Sequence, residues 1–135
     1  VFIGPGFTAR QKRKIADELI EVMVGEAVDG RGLYGKRRRK FPKYSKKYYK
    51  YPDPVDLTLQ GDMLEAIELL DTTDDSLVIG FKDGTEENAK ADGNIRGTYG
   101  KQRPRPGKAR PFLGVTIKEV SEVLDSYERR KRRNR

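Results

Sequence analysis

Residues 8–28 read TARQKRKIADELIEVMVGEAV, and this stretch decides the first half of the fold. Thr8 followed three residues later by Gln11 is the capping-box spacing that opens a helix. Ile15, Leu19, Val22, Met23 and Ala27 then recur at i, i+4, i+7, i+8 and i+12, one apolar stripe on a helix over 9–28. Asp29-Gly30 and Gly32 supply the stop. Gly4-Pro5-Gly6 supplies a turn in front of it. No strand of useful length precedes that glycine pair, so it does not read as a phosphate loop.

Outward from this helix the period changes. Leu77, Ile79 and Phe81 alternate with Ser76, Val78 and Gly80, the period-2 pattern of a strand over 77–82. Residues 64–70 are read as its hairpin partner across the polar loop 71–75, although Met63, Leu64, Ile67 and Leu70 also have helical spacing. Short strands are expected at 55–59 and 111–115, and a short helix from Thr85 to about Ala91, ended by Gly93. Thr116 with Glu119 forms a second capping box, and Val115 and Val120 suit a hydrophobic staple across it. Ile117, Val120, Leu124 and Tyr127 then give a narrow stripe on a helix over 117–130. The expected fold class is α+β: a small antiparallel sheet packed with the N-terminal and C-terminal helices, carrying long extended arms at 31–54 and 94–110. Residues 1–128 form a single structural domain on this reading, and 129–135 a basic tail. Ile15, Leu19, Val22, Leu64, Ile67, Ile79, Phe112, Val120 and Leu124 are expected in the core.

With 135 residues there is room for one domain. Hydrophobic residues are 35% and charged residues 37%, so the core is small and some segments lie outside it. No apolar run approaches the roughly 20 residues of a membrane span, and no signal-peptide pattern opens the sequence. There is no Cys, which excludes disulfides, thiolate zinc sites and cysteine nucleophiles, and no His, the commonest general base. The net charge of +8 is distributed in blocks: −1 over residues 1–30, +10 over 31–50, −10 over 51–95 and +9 over 96–135. Positive patches suit nucleic acid or an acidic protein face, and both signs together suit head-to-tail contact between identical subunits.

The chemistry-bearing residues point away from catalysis. Asp53, Asp56, Asp62, Asp71, Asp74, Asp75 and Asp83 stand at expected turns, with no calcium-loop spacing, so no metal site is assigned. Ser45 beside Lys46 and Lys47 is not a positioned nucleophile and base. No enzyme activity, no cofactor and no catalytic residue are expected. The interleaved Phe41, Tyr44, Tyr48, Tyr49 and Tyr51 among the lysines of 36–51 have the composition of a surface that neutralises phosphates and stacks on bases, or that docks on a neighbour.

Several stretches carry a family resemblance. Gly32-Leu33-Tyr34-Gly35 with Lys40-Phe41-Pro42-Lys43-Tyr44-Ser45-Lys46-Lys47-Tyr48 resembles the early basic segment of phage virion-morphogenesis proteins. Asp56-Leu57-Thr58-Leu59-Gln60-Gly61-Asp62-Met63-Leu64, Leu77-Val78-Ile79-Gly80-Phe81 and Asn88-Ala89-Lys90-Ala91-Asp92-Gly93-Asn94 resemble later segments of that family, in order. Ala109-Arg110-Pro111-Phe112-Leu113-Gly114 resembles its R-P-F-L-G motif before the last helix. Gln60 and Asp92 depart from the family pattern.

This resemblance implies a structural neck, tail-completion or connector protein of a tailed bacteriophage virion. It implies a homo-oligomeric ring, a hexamer in the first instance with a dodecamer kept open, that joins head to tail around the DNA channel. The implied partners are other copies of the chain, a portal-side adaptor, tail-terminator or tail proteins, and genomic DNA held non-specifically, with no membrane. The implied location is the virion, assembled in the host bacterial cytoplasm. Phe41, Tyr44, Tyr48, Tyr49, Tyr51, Arg110 and Phe112 are the candidates for contact with a neighbouring subunit. Arg37, Arg38, Arg39, Arg103, Arg105, Arg129, Arg130, Arg132 and Arg133 are the candidates for facing DNA in the lumen. The alternative from the basic arms and tail is a nucleic-acid-binding protein of ribosomal or chromatin type.

Overall fold

In the computed structural model residues 1–41, 64–81 and 111–133 are described. Helix α1 spans Ala9–Val28, and both halves of its capping box form. The Thr8 hydroxyl accepts from the Gln11 backbone N–H at 3.1 Å, and the Gln11 side chain accepts from the Thr8 N–H at 2.8 Å. At the other end the Gly30 N–H donates to the Ala27 carbonyl at 3.1 Å, with Gly30 at φ +83, a left-handed exit open to glycine. The second expected helix is α2, Ile117–Arg133. Its capping box also forms: Glu119 N–H to the Thr116 hydroxyl at 3.0 Å, and Thr116 N–H to the Glu119 carboxylate at 2.8 Å.

Among the described residues the β structure is two antiparallel hairpins, the first of them not expected. The first joins β1 (Arg31–Tyr34) to β2 (Arg37–Lys40), with Tyr34 opposite Arg37 and Arg31 opposite Lys40. Its loop is Gly35-Lys36, and Gly35 at φ +69 supplies the positive φ that two-residue hairpin loops use. The first ten residues of the expected arm 31–54 are therefore ordered structure. The remainder of that arm, the arm 94–110, the strand 55–59 and the helix at 85–91 lie outside the described residues.

The second hairpin joins β3 (Glu68–Thr72) to β4 (Leu77–Gly80), with a register shift between Leu69 and Asp71. The strand begins at Glu68 rather than at 64 and takes in Asp71 and Thr72, expected in the loop, a correction to both bounds; residues 64 and 65 are helical. Residues 111–115 form no strand, a correction to the expectation. Residues 1–3 lie along β4 instead: the Ile3 N–H donates to the Asp75 carbonyl at 2.8 Å and the Leu77 N–H to the Val1 carbonyl at 2.7 Å.

The fold is α+β, and its apolar contacts form two clusters along α1. Ala27 joins Phe41, Leu64, Ile67, Phe81 and Phe112 near the C-terminal end of the helix. Ile15, Ala16 and Leu19 join Ile3 and Leu77 near its N-terminal half. Val120, Val123, Leu124 and Tyr127 of α2 pack on the second cluster, and the Tyr127 and Phe7 rings meet edge to face at 6.3 Å. Ile117 is 82% exposed and stands off the stripe, whereas Val123, not part of the expected stripe, packs on this cluster. Val22 is half-buried and lines a groove between the helices.

The R-P-F-L-G segment runs against β1. The Leu33 N–H donates to the Pro111 carbonyl at 2.8 Å. A Cβ on Gly32 would stand 2.4 Å from the Phe41 ring and 2.7 Å from the Pro111 oxygen. Neither neighbour is free to yield, because one is a buried ring and the other is backbone. Gly32→Ala is expected to destabilise by about 1–3 kcal/mol, read as a lowered denaturation midpoint at unchanged slope. Gly35→Ala, whose Cβ would meet nothing within 4 Å, separates the backbone penalty of a positive φ from this clash.

Candidate functional site

Two charged surfaces meet where β2 reaches the start of α2. On β2, Arg37, Arg39 and Lys40 are exposed and Arg38 is half-buried. Arg38 makes a two-pronged contact with Glu119: Nε to Oε2 at 3.1 Å and Nη2 to Oε1 at 2.8 Å, with the Gly114 carbonyl accepting from Nη2 at 2.8 Å. The two side chains are only 12% and 15% exposed. Glu119 thus serves two ends at once, capping α2 and gripping the hairpin.

Burial alone would raise the Glu119 carboxyl's pKa. The hydrogen bond from Arg38, that from the Thr116 backbone and the charge of Arg38 outweigh it and hold the group below its ordinary 4.5. The Nη1 of Arg38 is enclosed without a hydrogen-bond partner, so the pair is not fully satisfied.

Beside this contact a groove of about 570 Å³ runs between α1 and α2. Glu18, Glu21, Glu26 and Asp29 line it from α1, and Glu119 and Glu122 from α2, over Val22, Gly25 and Val123. Arg31 reaches one end of it, pairing with Glu26 at 2.9 Å and with Asp29 at 3.9 Å. Among the described residues no three acidic side chains are gathered closely enough to hold a metal ion. No described helix is long and apolar enough to cross a membrane.

The predicted site residues separate under this geometry. Phe41, 5% exposed, and Phe112, fully buried, belong to the chain's own core and are not available to a neighbour, a correction to both. Their rings fill the space between α1 and β4, with Phe112 edge to face on Phe81 at 6.1 Å. Arg38 is engaged by Glu119 and is withdrawn from the lumen set. Arg37 and Arg39 remain exposed, as does Arg129 near the end of α2. Arg130, Arg132 and Arg133 continue that helix. Tyr44, Tyr48, Tyr49, Tyr51, Arg103, Arg105 and Arg110 lie outside the described residues. Asp75, at the turn, accepts from the Thr73 and Ser76 hydroxyls as turn aspartates do, whereas Asp71, expected at a turn, lies within β3 and accepts from the Thr72 N–H.

Sequence reasoning missed the acidic groove. Its signal was present as a second stripe on α1, Glu18, Glu21, Glu26 and Asp29, matched by Glu119 and Glu122 on α2. Comparison with family models, with curated proteins and with solved structures finds no match.

Proposed function

We propose that this chain is a structural neck protein of a tailed bacteriophage virion, of the tail-completion or connector kind, forming a ring that joins head to tail around the DNA channel. The observation that carries the reading is the pairing of opposite surfaces on one small core: the exposed cations of β2 and the carboxylate-lined groove of α1 and α2. Identical subunits with both signs of charge associate plus to minus, and such contacts generate rings when the rotation closes. The order of the resembling segments, ending in Arg110-Pro111-Phe112-Leu113-Gly114, supports the same reading. The protein carries no catalytic function on this account. Its partners are its own copies, a portal-side adaptor, and tail-terminator or tail proteins.

DNA contact in such a ring is loose, because the genome slides past. Phosphate contacts through long side chains satisfy that need, whereas base-edge contacts fix one register. Binding to duplex DNA is expected to be weak, indifferent to sequence and steeply salt-dependent. Replacing Arg37 and Arg39 by Gln is expected to reduce the magnitude of the log-affinity against log-salt slope by about 2. Titrations of two unrelated duplexes at several salt concentrations measure this.

A second reading, a nucleic-acid-binding protein of ribosomal or chromatin type, draws on Arg10, Arg13 and Lys14, exposed on the first turns of α1, together with the cations of β2. Light scattering and electron microscopy with and without DNA decide between the two. Rings without nucleic acid support the neck reading. A monomer that holds one duplex tightly at high salt overturns it in favour of the second.

A further inference from the structure

We infer that the groove between α1 and α2 receives the lysine–tyrosine segment 43–51 of a second copy of this chain; the inference rests on the assembly reading above and assigns its two surfaces. The groove floor is small and apolar, formed by Val22, Gly25 and Val123. A Cβ on Gly25 would meet nothing within 4 Å, so the floor is open at its centre. Glu21 stands on the α1 wall and Glu122 on the α2 wall. These carboxylates are strung along the groove rather than gathered, and no three of them are placed to hold a metal ion. Separated negative charges over an apolar floor match an extended chain that carries cations at intervals with rings between them.

Segment 43–51 has that composition: four Lys, four Tyr, one Ser and no acid. Tyrosine suits the floor because its ring is apolar while its hydroxyl stays in water. The lengths agree as well. From Glu18 to Asp29 the groove runs about 16 Å by helical rise. An extended segment covers that distance in about five residues.

The charge pattern favours a second copy over the chain's own segment. The segment follows Phe41, whose N–H donates to the Gly30 carbonyl at 2.8 Å, beside the Asp29 end of the groove. At that end Glu26 and Asp29 are already matched by Arg31. Toward that same end Arg38 holds Glu119, and Glu122 shares a hollow with Lys36, Arg37 and Lys118, whereas the exposed Glu21 stands toward the Glu18 end. A lysine-rich segment entering from its own root meets the Arg31 guanidinium first. A neighbour's segment entering from the open end meets Glu21 before it reaches the carboxylates that the chain's own cations already face.

A charge swap in the full chain tests this by sedimentation. One variant carries Glu21→Lys and Glu122→Lys; the other carries Lys46→Glu and Lys47→Glu. Glu21 is exposed and the Glu122 side chain is 64% exposed, so the groove variant is expected to fold, and circular dichroism checks both. The wild-type chain is expected to self-associate, less at high salt. Each variant alone is expected to associate at least tenfold more weakly, and an equimolar mixture of the two to regain association, because each supplies the partner the other lacks. A groove variant that associates like wild type overturns the inference, as does a mixture that stays monomeric or a wild-type chain that never associates. Rings that persist in the groove variant would leave the neck reading standing without this groove. The swap pattern with open chains that never close would leave the groove standing and remove the ring.

Discussion

Phe112→Ala is expected to destabilise the chain by about 3–5 kcal/mol, the largest single effect among the described side chains. Phe112 is fully buried, packs edge to face on Phe81, and belongs to the cluster that ties the C-terminal end of α1 to the β structure. Removing the ring loses its transfer free energy and leaves a cavity in a site fixed on one side by the Leu33–Pro111 hydrogen bond. Small domains are stable by only about 5–15 kcal/mol, so this loss is a large share of the whole. The melting temperature is expected to fall on the order of 10–20 °C in calorimetry. Ile117→Ala is the control, because that side chain is 82% exposed and its loss is expected to change stability by less than about 0.5 kcal/mol. Equal effects at the two positions would show that the core is not where the structure places it.

Arg38→Met is expected to cost about 2–4 kcal/mol at neutral pH. It removes the ion pair that joins β2 to α2 and leaves the Glu119 carboxylate, 15% exposed, without its cation. Glu119 keeps its cap on Thr116, so α2 itself is expected to persist. The pH dependence follows from the lowered pKa of Glu119. A carboxyl held below its unfolded value adds stability that is fully present above that value, near 4.5, and is lost as pH falls through the lower folded value. The wild-type chain is therefore expected to lose this increment below about pH 4.5, and Arg38→Met to lose less over the same range. Urea midpoints for both proteins between pH 3 and 7 measure it. Parallel curves would mean that the pair adds nothing to stability.

The same geometry governs how the arm is tested. A deletion of residues 36–50, reasonable if 31–54 is all arm, would remove β2, Arg38 and the buried Phe41 together. Loss of assembly in such a variant would report unfolding. Substitutions at Lys46 and Lys47 leave the hairpin and the core in place.

The sequence by itself determined both described helices, their starts and their N-terminal caps, because Thr8/Gln11 and Thr116/Glu119 are local devices that act within one turn; the second helix runs to Arg133, into the stretch read as a tail. It determined the α+β class and most of the core on α1, since Ile15, Leu19, Met23 and Ala27 follow from periodicity. It also determined that opposite charges lie in blocks. The β1–β2 hairpin was hidden, because Arg37-Arg38-Arg39-Lys40 shows no apolar alternation; only the tertiary structure separates Arg38, held by Glu119, from its exposed neighbours Arg37 and Arg39. Phe41 reads as one more aromatic in a basic run until the fold carries it to Phe112 and Leu64. The segment 111–115 has strand composition, yet β1 joins it by the Leu33–Pro111 backbone hydrogen bond and side-chain packing, and it forms no ladder. The groove was decided last, because its carboxylates come from two helices some ninety residues apart. Spacing within a helix is written in the chain, whereas the facing of two helices across a gap depends on how both pack on a shared core.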